Sequence, residues 1–325
     1  MNPSTRFPNG SPASALSTRI FQIYYADEQI PHLDPAFVPY DNSADKSPLL
    51  EFNVFRNIAA SGLAESAGLW GAVSWKFTQK TRVTGHELLR VIEAHPGYDV
   101  YFCNPFPETE ALYPNLWCQG ETSHPEFLSL SHDFLQASGL TTRLLDEILP
   151  SGMFATANYF VATPDFWHAY LTFIQETLDK AEAGLLPAAR TVLFSSLADP
   201  RGMHARATYL PFIVERLFSV FLAASAARFK AFKYAAISPE SRFNEHVRTI
   251  REIKDKAIFS KDKELLRYWN GYRNCYLMLV HRQRWIAQFQ HAIMPRKAFL
   301  CRYPMHVACQ TQALAKVSPH NEGAG

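Results

Sequence analysis

The sequence predicts an α/β protein: a mostly parallel, Rossmann-like sheet with flanking helices, followed by an all-helical C-terminal extension. Two observations lead there. From residue 19 to about residue 225, short β-branched and aromatic runs alternate with helical patterns, the order that builds layered α/β sheets. From residue 240 to residue 291 the helical spacing continues without a convincing strand.

The first strand is RIFQIYY, Arg19 to Tyr25, bounded by polar residues. It leaves through Ala26-Asp27-Glu28, a carboxylate-bearing strand exit of the kind where α/β sheets bind ligands. The prolines between His32 and Pro48 predict an irregular loop, and Leu49 to about Leu63 has helical spacing. Leu69 to Trp75 is the second strand. Thr84 followed by Glu87 has the capping-box spacing, and Leu88, Leu89, Val91 and Ile92 give that helix its apolar face. The helix ends at His95-Pro96-Gly97. Tyr98 to Cys103 is then a strand that stops at Asn104-Pro105, which completes a unit with the length of a parallel crossover. Leu128 to Ser138 reads as a helix closed by Gly139, Asn158 to Ala162 as a strand, and Trp167 to Ala183 as a helix closed by Gly184. Pro211 opens a further helix to about Ala227, proline being tolerated in a first turn.

At 325 residues, with 47% hydrophobic and 14% aromatic content, the chain can bury a full core. Its first 18 residues are polar and lack the apolar stretch of a secretion signal, so they read as a flexible tail, as do residues 316–325. No apolar run reaches the roughly 20 residues that span a bilayer. Five cysteines without a CxxC pair point to reduced thiols and a cytoplasmic protein. Charge is unevenly distributed: residues 1–225 hold 14 Lys+Arg against 23 Asp+Glu, and residues 226–325 hold 18 against 7. The basic part, interleaved with Phe229, Phe232, Tyr234, Trp269, Tyr272, Tyr276, Trp285 and Phe289, suits an anionic membrane surface or a nucleic acid, the latter disfavoured by the acidic first part. A solvated helical face packed on the acidic domain is the plainer alternative.

The chain has no GxSxG elbow, no GxxxxGK[ST] loop, no HExxH, and no GxGxxG after a strand. What it has is an ordered set of segments: WGAVSWKF…KT, DVYFCNPFPE, WCQGETSHPEF, ANYFVATPDFW and PFIVERLF. That order resembles a group of bacterial polysaccharide-biosynthesis glycosyltransferases over about Ile20 to Ala224. The resemblance implies a GT-A-like sheet and a nucleotide-sugar donor held at the carboxyl ends of the strands. By position, Trp75, Lys76 and Phe77 stand where those relatives place aromatic and basic residues. The tract is SWKF here and not HYRRY, so phosphate contact falls to Lys76 or Lys80, unless these are ordinary solvated lysines. Tyr25, Asp27 and Asn104, at strand exits, complete the expected donor site.

GT-A enzymes commonly hold a divalent metal, Mn or Mg, on an Asp-x-Asp motif, and none occurs here. Asp99, Glu108 and Glu110 are the weak metal candidates, and without a metal, cationic side chains must stabilise the leaving group. Asp99 is also a catalytic candidate, or simply caps its strand. Glu121 and His124 are the acid–base candidates by residue type, against the alternative that His124 and Pro125 begin a helix capped by Ser123. Asn158 and Tyr159 suit sugar hydroxyls. Glu215 and Arg216 would orient an acceptor or form a surface pair.

The expected organisation is a tail to residue 18, a glycosyltransferase domain over 19–225, a basic helical region over 226–315 and a tail over 316–325. The expected activity is sugar transfer from a nucleotide-sugar donor to a glycan or lipid-linked acceptor of surface polysaccharide, with the protein cytoplasmic and peripheral at the inner membrane. The alternatives are a non-catalytic nucleotide-sugar or glycan binding protein and, last, a nucleic-acid-binding protein.

Overall fold

The computed structural model describes residues 17–195, 207–236, 245–288, 299–300 and 307–309, with side chains described up to Val280 in the last helix. The terminal tails expected from the sequence lie almost wholly outside these residues, as do the side chains of Trp285 and Phe289. In chain order the elements are β1 (Thr18–Tyr24), β2 (Val38–Asp41), α1 (Glu51–Ala60), β3 (Leu69–Ser74), α2 (Phe77–Thr81), α3 (Gly85–Ala94), β4 (Val100–Phe102), α4 (Glu108–Leu112), α5 (Leu116–Ser123), α6 (Phe127–Ser138) and β5 (Glu147–Ile148). They continue as β6 (Phe160–Ala162), α7 (Pro164–Gly184), α8 (Pro187–Phe194), α9 (Leu210–Ala224), β7 (Ala231–Lys233), α10 (Glu245–Ser260), α11 (Lys263–Gln288), β8 (Phe299–Leu300) and β9 (Ala308–Cys309).

Seven strands form one mixed sheet in the order β2-β1-β3-β6-β4-β7-β9. Every pairing is parallel except those of β6, which runs antiparallel to β3 (Gly71 opposite Val161) and to β4 (Tyr101 opposite Val161). The expected crossover from β3 through α3 to β4 is present, but β6 is inserted between the two strands. Gly71 permits that insertion: a Cβ there would stand 2.4 Å from the Phe160 carbonyl oxygen. Successive residues Ile20, Phe21, Gln22 and Ile23 of β1 are all buried, as in a strand covered on both faces.

Two expectations need correction. The proline-rich stretch expected as irregular contains β2, an edge strand in which Pro39 costs no central ladder bond. The C-terminal part expected to be all helical contributes β7 and β9 to the sheet, β7 pairing in parallel with β4, so the sheet crosses the boundary at residue 225.

The helices form for reasons visible in their ends. Thr84 and Glu87 make the expected reciprocal capping box on α3. Gly139 closes α6 at φ +76°, where a side chain would be strained. Thr163 caps α7 and Pro164 occupies its first turn. Trp167 on α7 stacks on Trp70 of β3 with ring centroids 4.1 Å apart, and its indole Nε1 donates to the Trp70 carbonyl at 2.7 Å. Phe160, Phe166, Tyr170 and Phe218 continue the aromatic layer between sheet and helices, each large ring contributing about 1.5–3 kcal/mol by burial.

The pair α10 and α11 packs on the short helix α4 through a particular set of bonds. Lys254 Nζ donates to the carbonyls of Glu110 and Tyr113, Trp269 Nε1 to that of Ala111, and Arg273 Nη1 to that of Leu112. These are carbonyls at the end of a helix, which lack partners within it and carry its negative dipole end. Lys233 of β7 completes the network by an ion pair with Glu110 at 2.7 Å and a bond to the Ser151 carbonyl. Asp255 accepts from the backbone and hydroxyl of Ser151. Lys233, Lys254 and Arg273 are thus buried, as are Phe229, Phe232, Tyr234, Trp269 and Tyr276. Much of the basic, aromatic C-terminal sequence is packing and not a free surface. Among the described residues no helix is long and apolar enough to cross a membrane.

Candidate ligand cleft

Parallel strands all deliver their chain exits to one edge of a sheet, and the loops that follow leave a crevice there. In this protein the exits of β1 and β3 meet the start of α1, helix α2 and the first turns of α9 around a cleft of about 340 Å³. Its floor is Tyr25 after β1 and Ser74 and Trp75 at the end of β3. Lys76 and Lys80 of the α2 segment line one side, and Leu50 and Glu51 of α1 with Pro211, Phe212 and Glu215 of α9 line others.

Several bonds fix that geometry. The buried Gln22 of β1 accepts from the Asp34 backbone N–H at 2.6 Å and reaches the Trp75 carbonyl at 3.4 Å. Asp34 in turn accepts from the Gly85 N–H at 2.8 Å. Gln29 accepts from the Tyr25 N–H, and Ser74 shares a 2.7 Å bond with the Tyr159 hydroxyl. Lys76 lies over the Trp75 ring at 4.9 Å and Lys80 over the Tyr159 ring at 5.9 Å, so both ammonium groups rest on aromatic faces. Leu50, the residue before α1, has φ +47°, a conformation that costs a non-glycine residue on the order of 1–3 kcal/mol. The preceding turn holds it there through bonds from Ser47 N–H to Asp45 and from Leu49 N–H to the Ser47 hydroxyl.

Opposite charges meet at the cleft wall, where Glu215 lines the cleft and the buried Arg216 lies behind it. Glu215 bonds Arg216 at 2.9 Å with its side chain 18% exposed. Burial raises its carboxyl to about 7, Glu51 adds to the rise, and Arg216 and Lys80 oppose it. Burial also raises the Tyr25 phenol well above its ordinary value, with Glu51 contributing.

Of the residues singled out from the sequence, Tyr25, Trp75, Lys76, Lys80 and Glu215 are brought together here. The others are not. Asp99 precedes β4 at the opposite, amino edge, where its carboxylate accepts from the Lys230 N–H at 2.7 Å. Its bland alternative, a strand cap, describes that placement. Asp27 is exposed in a 3-10 turn. Asn104 is buried in the turn after β4, bonded to Phe106, Thr109, Glu110 and Thr156. Glu121 uses both carboxylate oxygens on the backbone N–H groups of Glu126 and Leu128 at the start of α6. His124 ends α5 and does not begin a helix. It stacks on Phe212 at 4.2 Å, and burial with nearby Arg216 pushes its imidazole down to about 4, so it is a neutral support behind the cleft wall.

Tyr159 lies beneath the floor, sharing its hydroxyl bond with Ser74 and lying under Lys80. Asn158 is buried in the loop just before β6 and its side-chain oxygen finds no hydrogen-bond partner among the described residues. Arg216 is no surface residue: it is buried, bonded to Gln119 and to the Phe212 carbonyl.

The metal candidates do not converge. Glu108 opens α4, Glu110 is ion-paired with Lys233 and lies 3.8 Å from Arg251, and Asp99 is at the far edge. Among the described residues no group of three His, Cys, Asp or Glu side chains is placed to hold a metal ion. These residues do not fit the divalent ion of an Asp-x-Asp site. Sequence reasoning passed over Gln29, Leu50, Glu51 and Phe212. Glu51 alone left a signal, a carboxylate in the first turn of the helix after a proline-rich loop.

Fold and cleft together define a mixed α/β protein with a ligand-sized site at the carboxyl edge of a mostly parallel sheet. No protein-family model matches the chain, and neither does any curated protein. Among solved structures it is similar to WbbM, a bifunctional glycosyltransferase in its apo structure, with 13% identity and a TM-score of 0.38 over 66% of this chain and 44% of that one. The chain thus spans less than half the length of that neighbour, and a likeness so distant carries no function across.

Proposed function

We propose that the protein is a glycosyltransferase that moves a sugar from a nucleotide-sugar donor to a glycan or lipid-linked acceptor of surface polysaccharide, on a GT-A-like sheet. The observation that carries this reading is the cleft itself: an aromatic floor, two lysines and two carboxylates at the exits of β1 and β3. Trp75 offers a ring to a base or sugar face, Lys76 and Lys80 offer charge to a diphosphate, and Gln29, Glu51 and Glu215 offer partners to sugar hydroxyls. The motif order of the sequence supports the same reading.

In the transfer the acceptor oxygen bonds to the anomeric carbon of the donor sugar. The bond to the diphosphate breaks with its electron pair leaving on the nucleoside diphosphate, and the acceptor's proton passes to a cleft carboxylate. Preorganised lysines stabilise the charge that builds on the leaving group. This assigns to Lys76 and Lys80 the work that Asp99, Glu108 and Glu110 are not arranged to do through a metal. The exposed face of α11, where Tyr268, Met278 and Leu279 accompany Arg267, is the part we assign to a cytoplasmic, anionic membrane surface.

The test is a thermal-shift screen against UDP-, GDP-, CMP- and dTDP-sugars, with Mn²⁺ and with chelator, since a ligand of the folded state raises the melting temperature. A shift with one nucleotide class, unchanged by chelator, supports the reading. A shift followed by no sugar transfer to any acceptor favours a nucleotide-sugar binding protein, and no shift with any donor overturns both.

A further inference from the structure

We propose that Glu215 takes up a proton when the diphosphate of a nucleotide-sugar donor engages Lys80, so that donor and proton bind the cleft together. The proposal rests on the donor reading above. Its basis is the placement of one mostly enclosed carboxylate on α9 in the same cleft as Lys80 of α2 and Glu51 of α1.

The charged and titratable groups around Glu215 come from every side. Its own helix supplies Arg216, at 2.9 Å, and α1 supplies Glu51. The α2 segment supplies Lys76 and Lys80, and the end of β1 supplies Tyr25. Behind it stand the phenols of Tyr159 and Tyr170, both held far above their ordinary values by burial, and α5 presents to Arg216 the neutral Gln119 amide and, at its end, the His124 imidazole, which burial and Arg216 push down to about 4. Outside this group the ring of His32 lies 5.9 Å from that of Trp75.

In the free cleft Lys80 and Arg216 favour the ionised carboxylate, while burial and Glu51 oppose it, and the balance leaves the carboxyl close to neutrality. A bound diphosphate changes that balance from one side. It neutralises Lys80 and adds two negative charges of its own. The ionised form then loses support, and the neutral acid gains a phosphate oxygen to which it can donate a hydrogen bond. Both phosphates of a UDP-, GDP- or dTDP-sugar are diesters whose charge is fixed through the neutral range, so a proton taken up on binding belongs to the protein.

Calorimetric titration of the full chain with these three donors, in two buffers of different ionisation enthalpy, reads the proton directly. The expected result at about pH 7 is binding of one donor with roughly half a proton taken up. Its affinity should fall about tenfold from about pH 6 to about pH 8. Glu215→Gln should bind the same donor with no uptake and a flat pH profile, and if that variant does not fold, the wild-type pH profile and uptake carry the test. Binding without uptake overturns the proposal and leaves the donor reading standing. So does uptake that persists in Glu215→Gln and disappears in His32→Asn. If no donor binds, the proposal and the donor reading fall together.

Discussion

Replacing Lys233 by methionine tests how the C-terminal part is joined to the sheet. Lys233 ends β7, pairs with Glu110 at 2.7 Å and donates to the Ser151 carbonyl at 2.6 Å, with both charged side chains under 10% exposed. At an effective dielectric of about 20 the gross attraction is about 6 kcal/mol. Desolvation of both groups offsets most of it, so the intact pair has little net value, whereas removal of one partner strands the other. Glu110 would keep the Asn104 amide at 3.1 Å and Arg251 at 3.8 Å, which soften the loss. The expected cost of Lys233→Met is therefore near the lower end of the range for a broken buried pair, about 3 kcal/mol. Removing both charges with Lys233→Met and Glu110→Met together should cost less than the sum of the two single changes by about 2 kcal/mol. Urea denaturation followed by tryptophan fluorescence measures all three variants. A single-variant loss under about 1 kcal/mol, or strict additivity in the double variant, would refute the account of β7 as tied to α4 through a desolvated ion pair.

Three further outcomes follow from the geometry. Lys80→Met should weaken donor binding by about ten- to a hundredfold, the scale of one charge-assisted bond, while Asp99→Asn at the opposite edge leaves it unchanged; titration calorimetry compares them, and equal losses would sink the placement of the cleft. His124 titrates at about 4 in the folded chain against about 6.5 unfolded. The unfolded state therefore binds the proton first as pH falls, so stability decreases by about 2–3 kcal/mol from about pH 6.5 to about pH 4. His124→Asn should flatten that part of the curve, and an unchanged slope would contradict the buried, neutral imidazole. Gly71→Ala should destabilise by several kcal/mol because its Cβ meets the Phe160 carbonyl, so a melting temperature within about 2 °C of wild type would show that β3 and β6 are not in such close register.

Local signals carried the sequence reading wherever a few adjacent residues decide the outcome. The Thr84–Glu87 box, Gly139 after α6, and the largely apolar β3 are determined by their own neighbourhoods, and each was legible. Direction and partnership were not. Nothing in Phe160-Val161-Ala162 states that the strand runs antiparallel, since that depends on where the chain returns from. Ala231-Phe232-Lys233 is too short to show a period and joins the sheet because β4 leaves it an edge. The site divides in the same way. Trp75, Lys76 and Lys80 follow a strand exit and could be found by that rule. Asp99 has the residue type of a metal ligand or catalytic group but stands at a strand entrance, and Glu121 and His124 have the residue types of an acid and a base but are used up by a helix start and an aromatic stack. Glu51 entered the cleft only through the fold of the loop before α1.

The carbonyls at the end of α4 have a consequence for how the chain is made. A helix of five residues cannot form alone, because its nucleation costs more than its few bonds return, and here its end carbonyls accept from Lys254, Trp269 and Arg273. On a ribosome those partners emerge some 140 to 160 residues after α4 itself. The turn after β4 therefore stays unsettled until the last helices arrive, and the edge of β4 stays open until β7 does. A fragment ending near residue 225 would be an interrupted folding reaction, exposing a strand edge and a row of unsatisfied carbonyls, and not a smaller version of the same protein.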